Sequence, residues 1–560
     1  MLSKTLNTNV NLRCPTAPSG LTPKPVKLIL IFIFCVAGIA QAQVNRYMVF
    51  FTDKSETPYS VSAPEEFLSD RALARRERQN ISVTEQDLPV DPAYVQYIRD
   101  VDGVTVLYKT KWMNGVLVEC DVTNVSTLEA LSFVANVEYV APGARPSAGG
   151  RIRSSNKFKG VSSVAEATDV QLELMGADHM HAAGYRGEGM LIAIMDAGFI
   201  GADTISFFKH VFDENRFDAA TSYDFVSGGS NVFRHNNHGT HVWSTIGAYK
   251  NQEFTGGAYN ANFVLFVTEH APTEYRVEEY NWLFAAERAD SLGVDVINTS
   301  LGYTTFDDSN MNYSSSDMNG ETTVITQAAN IAASKGMAVV VSAGNEGQGS
   351  ATTIGAPSDS EYVLAVGAVT ASGTISSFSS IGPSADGRIK PDVAAMGTGV
   401  SIIKNNGQLG SANGTSFSGP LTAGLVTGVW QMLPELTVQQ LFDTIRASAS
   451  QSSNPDFLLG YGIPNFISII TATEGELQNN VRIFPNPATR EIFIEFSERT
   501  SREQFQLSLT DARGISHTAP LSTVDDLKFS LDISTQQSGL YILQVLQGNN
   551  VSTYKIIKIE

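Results

Sequence analysis

The chain has 560 residues, of which 42% are hydrophobic and 17% charged, a composition that excludes a disordered polymer and leaves room for several domains with cores of their own. It carries 38 basic and 57 acidic side chains, for a formal net charge of −19. This balance, without a Lys/Arg-rich patch, argues against nucleic acid as a partner. A disulfide framework would have to be built from Cys14, Cys35 and Cys120, which all lie in the first quarter of the chain.

Residues 1–42 have the pattern of an export signal. Lys24 and Lys27 precede an apolar run over 28–40 that ends in the small-x-small sequence Ala-Gln-Ala. As a helix this run is about 20 Å long, shorter than the roughly 30 Å of a bilayer's hydrocarbon core, which takes about 20 residues to cross. We expect a signal peptide cleaved after Ala42, with an uncleaved membrane anchor as the alternative.

The segment 43–160 alternates short strand and helix patterns. Its order predicts a small α+β domain similar to a split βαβ unit. Its end, 142–160, is rich in Gly, Ser and basic residues and predicts an exposed linker that a protease could cut. The predicted elements are strand Tyr47–Thr52, helices Pro64–Gln79 and Asp91–Val101, strands Val104–Lys109 and Gly115–Val122, helix Val125–Phe133 and strand Val137–Val140.

The segment 161–475 alternates buried apolar strands with helices. This pattern predicts an α/β domain in which helices cover both faces of a parallel sheet. In such folds the chemistry lies beyond the carboxyl ends of the strands. Strands are predicted at 191–195, 262–267, 294–298, 338–342 and 363–366, and helices at 278–292 and 322–335.

Three polar residues follow or begin such elements. Asp196 ends an apolar strand, His238 opens His-Gly-Thr-His before a helix predicted over Val242–Ala248, and Ser416 precedes the apolar stretch Leu421–Met432. A serine at a helix amino terminus lies beside free backbone N–H groups that can hold an anion. Taken singly, the Asp could cap a helix and the His could be a core residue or a metal ligand.

The order Asp, His, Ser, with the residues around each, resembles subtilisin-like serine peptidases, the subtilase family. The resemblance runs from Asp169 to about Ile463. It implies a subtilisin-like α/β fold and a secreted serine endopeptidase that hydrolyses peptide bonds in polypeptide substrates. Further matching motifs are Ser300-Leu301-Gly302, Ser342-Ala343-Gly344-Asn345, Ser379 to Pro383 and Asp386 to Val393.

The resemblance implies a role for each residue of the triad. Ser416 is the expected nucleophile, His238 the base that takes its proton, and Asp196 the acceptor that fixes the imidazole and stabilises its charged form. His235 and His241 are the alternative bases. The His-Gly-Thr context favours His238, because the family motif begins at the catalytic histidine.

Two further groups are expected to act on the substrate. Asn345 resembles the family's side-chain donor to the oxyanion, with the Ser416 backbone N–H as the second donor. The alternative for Asn345 is a structural turn residue. Ser300, Leu301 and Gly302 resemble the edge against which an extended peptide forms main-chain hydrogen bonds.

The family's chemistry requires no cofactor, although many members bind calcium structurally. A polar loop supplies hard oxygen ligands that could hold such an ion, or could simply be solvated. A zinc hydrolase is disfavoured because the sequence contains no His-Glu-x-x-His. The loop residues are Asp307, Asp308, Asp317, Asn319 and Glu321.

The tail, 480–560, alternates apolar and polar residues in short strands, which predicts a β-sandwich. Its Pro-Asn-Pro opening at 485–487, Gly539-Leu540-Tyr541 and the last residues resemble the C-terminal sorting domain of proteins exported by the type IX secretion machinery. Transport through the inner and outer membranes is implied, to the exterior or the cell surface. An adhesion module is the alternative. The strands are predicted at 491–496, 506–510, 528–532, 541–546 and 554–559.

The resemblance also implies a role for the domain over 43–160, because subtilases commonly carry an inhibitory prodomain of this size. We expect a zymogen whose own prodomain is its inhibitor, and a monomer. A permanent N-terminal binding domain is the alternative for this segment. For the whole chain the alternatives are a catalytically inert cell-surface binding protein on a peptidase fold and a metal-dependent hydrolase.

Overall fold

The computed structural model describes residues 44–143, 168–347, 352–470, 481–496, 500–501, 504–511, 515–547 and 550–559. The predicted signal peptide and residues 144–160 of the predicted linker lie outside these ranges. Within them, no helix has the length and apolar character needed to cross a membrane.

The N-terminal domain (44–143) is a four-stranded antiparallel sheet in the order β2-β3-β1-β4 with helices on one face, as the sequence predicts. The helix predicted over Pro64–Gln79 is shorter, because the hydroxyl of Ser69 accepts the backbone N–H of Ala72 and starts the α-helix there. The elements are β1 (Val44–Phe51), α1 (Asp70–Arg78), α2 (Pro92–Arg99), β2 (Thr105–Thr110), β3 (Gly115–Asp121), α3 (Val125–Glu129) and β4 (Val134–Pro142).

The two faces of this sheet bury different partners, because side chains alternate along a strand. Val49 and Val116 face the domain's own core beneath α2 and α3. Met48, Leu117 and Val140 face the other way, into a core shared with the central domain. The N-terminal domain is therefore attached to the rest of the chain by a whole sheet face.

The central domain (168–470) is built on seven parallel strands, which confirms the predicted α/β class. Its strands are β5 (Leu191–Asp196), β6 (Tyr223–Asp224), β7 (Tyr249–Lys250), β8 (Phe254–Thr255), β9 (Asn262–Val267), β10 (Val296–Thr299), β11 (Ala338–Ser342), β12 (Leu364–Val369), β13 (Val393–Met396), β14 (Val400–Ile403) and β15 (Leu409–Ala412). Its helices are α4 (Asp169–Glu173), α5 (Ala177–Ala182), α6 (Lys209–Asp213), α7 (His238–Gly247), α8 (Val277–Leu292), α9 (Val324–Ser334), α10 (Thr415–Met432) and α11 (Val438–Ala447).

The parallel sheet has the order β13-β12-β11-β10-β5-β9-β6. Ile192 and Ile194 of β5 face the layer of α7 and α10, whereas Ala193 and Met195 face α8 and α9. The N-terminal domain packs on the α8 and α9 side. Strand order reverses between β5 and β10, which is where open α/β sheets place their binding crevice.

The C-terminal domain (481–559) consists of two four-stranded antiparallel sheets, β16-β17-β21-β20 and β19-β18-β22-β23. Ile492 and Phe529 of the first sheet share one hydrophobic core with Leu543 and Ile556 of the second. This is the predicted β-sandwich. The strands are β16 (Val481–Phe484), β17 (Glu491–Phe496), β18 (Phe505–Asp511), β19 (Ser516–His517), β20 (Leu521–Thr523), β21 (Lys528–Asp532), β22 (Gly539–Gln547) and β23 (Asn550–Lys558).

Candidate active site

The carboxylate that ends β5 is paired with the histidine that begins α7. His238 Nδ1 lies 2.8 Å from Asp196 Oδ1 and 3.0 Å from Oδ2. The Asp196 side chain is fully buried, and its Oδ1 also accepts the backbone N–H of Ala197 at 2.7 Å. A buried carboxylate held in this way fixes the tautomer of the imidazole and leaves Nε2 as the basic atom.

The two alternative histidines have different surroundings. His235 Nε2 lies 2.7 Å from Asp224 Oδ2, an oxygen that also accepts a hydrogen bond from Arg234. His241 is buried on α7, and this burial, with the nearby His238 and Lys404, lowers its pKa to about 3. An imidazole with that pKa is a poor base at neutral pH.

The helix that carries His238 begins four residues earlier than predicted, at the histidine itself. Gly239 allows this, because a Cβ there would lie 2.6 Å from the Gly198 carbonyl oxygen and 2.7 Å from the ring of Phe199. The residues after β5 therefore pack directly against the first turn of α7, which brings His238 to Asp196.

The serine lies in the first turn of α10, next to a residue whose ring is near the histidine. Gly414 precedes the helix with φ +145°, a conformation that residues with a side chain rarely adopt. Ser416 is 9% exposed, and the ring of the next residue, Phe417, lies 6.1 Å from the ring of His238 between centroids. The glycine therefore turns the chain so that α10 begins next to the Asp196–His238 pair.

A proline inside α10 releases one carbonyl group beside the serine. Pro420 has no N–H, so it cannot make the helical hydrogen bond to the carbonyl of Ser416. The hydroxyl of Ser300 donates to that carbonyl instead, at 3.1 Å. One residue of the predicted substrate edge is thus hydrogen bonded to the predicted nucleophile.

Asn345 follows β11 and is held by the residue before the serine. Its Oδ1 accepts the backbone N–H of Thr415 at 2.8 Å and the Thr415 hydroxyl at 3.1 Å. The role of Thr415 was missed in the sequence, although it belongs to the same Gly-Thr-Ser motif as Ser416. The Asn345 side chain is thus fixed to the residue that precedes the predicted nucleophile, as an expected oxyanion donor would have to be.

Ser300, Leu301 and Gly302 leave the carboxyl end of β10. Directly after them, Tyr303 and Ala356 form an antiparallel bridge through two backbone hydrogen bonds of 2.9 and 3.3 Å. This segment can therefore form strand-type hydrogen bonds, which is the property expected of a peptide-binding edge.

The polar loop that could hold calcium or be solvated uses several side-chain oxygens in hydrogen bonds within the protein. Asp308 and Asp317 direct oxygens at the N–H groups of Asn310 and Ser314, and Asn319 caps Glu321 in the same way. Asp307 accepts the N–H of Glu274 at 3.1 Å. These oxygens accept backbone N–H groups, and among the described residues no group of three His, Cys, Asp or Glu side chains is placed to hold a metal ion together.

Three family models match this chain, in the order predicted from the sequence. The subtilase family matches residues 187–462. The peptidase S8 propeptide domain of Bacteroidota matches residues 46–156. The secretion system C-terminal sorting domain matches residues 482–560.

Individual proteins are similar to the same region. Subtilisin DY from Bacillus licheniformis is 29% identical over 304 residues, which cover 54% of this chain and 98% of that protein. Subtilisin amylosacchariticus from Bacillus subtilis subsp. amylosacchariticus is 30% identical over 304 residues, which cover 54% of this chain and 71% of that protein. The crystal structure of MycP1 from Mycobacterium smegmatis superposes with a TM-score of 0.45 at 22% identity, covering 56% of this chain and 87% of that one.

Proposed function

Because the chain belongs to the subtilase family, as a subtilisin-like serine endopeptidase, we propose that Asp196, His238 and Ser416 are its catalytic triad. His238 Nε2 takes the proton of the Ser416 hydroxyl as the oxygen attacks the scissile carbonyl carbon. The same nitrogen then delivers that proton to the leaving amine. The observation that supports the proposal is the hydrogen bond between His238 and buried Asp196, together with the contact of the His238 ring with Phe417, the residue after Ser416.

The tetrahedral intermediate requires donors for its oxyanion. We propose the amide nitrogen of Asn345 and the backbone N–H of Ser416 for this role. Support comes from the two hydrogen bonds by which Thr415 holds Asn345 Oδ1. Ser300, Leu301 and Gly302 are the proposed edge for the substrate backbone.

The N-terminal domain is the proposed inhibitor in a zymogen. It carries a propeptide-family match, and one face of its sheet is buried on α8 and α9. Glu287 of α8 accepts the hydroxyl of Thr110 and the N–H groups of Lys111 and Trp112, at 2.5, 2.9 and 3.0 Å. A domain attached through these contacts must be removed before the surface beneath it is free.

The sorting domain marks the protein for export, to the exterior or the cell surface. We propose that the type IX machinery handles this tail and that the mature enzyme is a monomer. The boundaries proposed are 1–42 for the signal peptide, 43–160 for the prodomain and linker, 161–475 for the peptidase and 480–560 for the tail. The three family matches lie within the last three of these ranges.

The deciding experiment compares Ser416→Ala with Ser418→Ala after the linker has been cut. Ser418 lies in the same helix and donates to the Thr415 carbonyl, so it controls for disturbance of α10. Casein cleavage should be lost in the first variant and kept in the second. A serine-directed phosphonate should inactivate the wild type, whereas a chelator should not.

Other outcomes identify the alternatives. Cleavage by Ser416→Ala overturns the proposed mechanism, and loss of cleavage in chelator alone favours a metal-dependent hydrolase. A wild type that cleaves nothing after prodomain removal is an inert binding protein. Sequencing the new amino terminus tests the zymogen, because an active enzyme that begins at residue 43 would contradict it.

A further inference from the structure

Helix α1 of the N-terminal domain inserts a buried arginine into the central domain. Arg75 is 1% exposed. Its guanidinium donates to the Val294 carbonyl at 2.6 Å, to the Lys335 carbonyl at 3.2 Å and to Asp290 Oδ1 at 2.6 Å. All three acceptors belong to the central domain, so this side chain fills a site formed by that domain.

A second arginine of the same helix completes a buried ionic network. Arg76 is 2% exposed and donates to both carboxylate oxygens of Asp290, at 2.9 Å each, and to Asp87 at 3.0 Å. Lys335 of the central domain pairs with the same Asp87 at 3.1 Å. Each domain thus contributes a buried carboxylate that the other domain helps to neutralise.

Around the two arginines, other side chains of α1 and its neighbourhood bond to carbonyl groups at the ends of helices α8 and α9. Arg71 donates to the side chain of Asp295 and, at 2.9 Å, to the carbonyl of Gly293, which directly follows α8. Gln79 donates to the carbonyl of Gly336, just after α9, at 2.8 Å, and accepts the N–H of Val438 at 3.1 Å. Cationic and amide donors are the groups that helix carboxyl ends favour.

This site lies at the amino ends of the central strands, whereas the proposed triad lies at their carboxyl ends. Asp295 immediately precedes β10, and its side chain and backbone bond to Leu191, the first residue of β5. Asp196 is the last residue of β5. The six-residue strand separates it from Leu191 by roughly 17 Å. Contacts at the amino ends of the strands do not depend on what occupies the catalytic cleft.

We propose that α1 is a second anchor of the prodomain, and that the central domain carries a guanidinium-binding site for it, made by Asp290, Asp295 and the carbonyl groups at the ends of α8 and α9. The anchor retains the N-terminal domain after the linker has been cut. Because the anchor lies at the amino ends of the strands, its contribution to retention is separate from any contact at the triad. The inference rests on the proposed zymogen only in assigning the retained domain an inhibitory role.

The test uses the full chain with Ser416→Ala and a recognition sequence for a site-specific protease inserted between Ser147 and Ala148. After cutting, the N-terminal fragment should stay bound during size-exclusion chromatography. In the double variant Arg75→Met, Arg76→Met the N-terminal fragment should dissociate roughly a hundredfold faster or more, because the buried carboxylates of Asp290 and Asp87 lose their arginine partners. Arg99→Met, on the exposed end of α2, is the matched control and should match the parent.

Two milder variants keep the test decisive if the double variant does not fold. Arg75→Lys keeps the charge but cannot reach all three acceptors, and Arg71→Gln removes a guanidinium that is 40% exposed. Both should release the fragment faster than Arg99→Met. Equal release rates for all three would overturn the second anchor. A wild type that never cuts its own linker would contradict the zymogen instead, since here the added protease makes the cut.

Discussion

Asn345 is held by Thr415, the neighbour of the serine. The Asn345 side-chain oxygen accepts both the N–H and the hydroxyl of Thr415, at 2.8 and 3.1 Å. Since an amide presents its oxygen and nitrogen on opposite sides, the nitrogen with its two N–H donors is turned away from Thr415. The position of the proposed oxyanion donor is thus set by the chain segment that also positions the nucleophile.

Asn345→Ala should lower kcat by about 10²- to 10³-fold and leave KM nearly unchanged, because the lost hydrogen bond strengthens only as the oxyanion forms. The measurement is steady-state kinetics on a peptide substrate with the mature enzyme. Asn413→Ala is the control, since the Asn413 side chain accepts the N–H of Gly399.

Thr415→Val separates positioning from donation at the same site. It keeps the backbone N–H bond to Asn345 but removes the hydroxyl bond. The expected result is a loss of about tenfold in kcat, about the worth of one neutral hydrogen bond, with KM retained. A loss as large as that of Asn345→Ala would show that the threonine hydroxyl does more than orient the amide.

Asp196→Asn should reduce kcat by about 10⁴-fold while leaving the fold intact. The amide cannot accept the Nδ1 proton and stabilise the imidazolium as the carboxylate does. His235→Gln is the companion variant, because it removes an alternative base that is also paired with an aspartate, and it should retain activity. If His235→Gln lost activity as completely as Asp196→Asn, the assignment of the base would be wrong. Circular dichroism of each variant confirms folding.

Glu279, fully buried in α8, should give the zymogen a stability that decreases with rising pH. Burial, with the charge of Glu138, raises the pKa of Glu279 from 4.5 to about 7, against the opposing effects of the Ile325 N–H, Tyr313 and Arg276. Between these pH values the native carboxyl keeps its proton while the unfolded one has lost it. The free energy of unfolding therefore falls by about 3 kcal/mol from pH 4.5 through 7.

Glu279→Gln should remove this contribution. The measurement is urea denaturation of the Ser416→Ala protein from pH 4.5 to 8, with and without the second change. Glu321→Gln, on an exposed loop, is the control. Parallel pH profiles for the Glu279→Gln variant and its parent would rule out this titration.

Thiol reductant should leave the activity of the mature enzyme unchanged. Cys14 and Cys35 precede the predicted signal cleavage site, and Cys120 belongs to the N-terminal domain. Burial in the N-terminal domain's own core raises the pKa of the Cys120 thiol to about 11, so iodoacetamide should label it only when that domain unfolds. Activity assays with and without reductant, and labelling of the zymogen against a Cys120→Ser control, test both statements.

The sequence was sufficient where local pattern and fold agree. The apolar run ending at Asp196 could only be a buried strand, and parallel topology places the ends of such strands at one edge. The start of α7 was predicted four residues late, because His238, Gly239 and Thr240 do not look helical in isolation. Their helix is imposed by packing against the residues after β5.

The buried charges could not be predicted. Helix α1 reads Asp-Arg-Ala-Leu-Ala-Arg-Arg-Glu-Arg, a sequence typical of a solvated helix. Arg75 and Arg76 are nonetheless buried, because their partner Asp290 lies more than two hundred residues away. Periodicity detects apolar faces, whereas the partner of a charge is decided by tertiary contact.

The proline in α10 has a consequence for how the site responds to substrate. In an uninterrupted helix the Ser416 carbonyl would accept the N–H four residues later. Here that position is Pro420, and the carbonyl accepts a hydrogen bond from the Ser300 hydroxyl instead. A peptide bound along the proposed edge, residues 300–302, would contact the segment that donates this hydrogen bond. With Ser416 as the proposed nucleophile and 300–302 as the proposed edge, this one hydrogen bond would couple binding of the peptide backbone to the position of the serine.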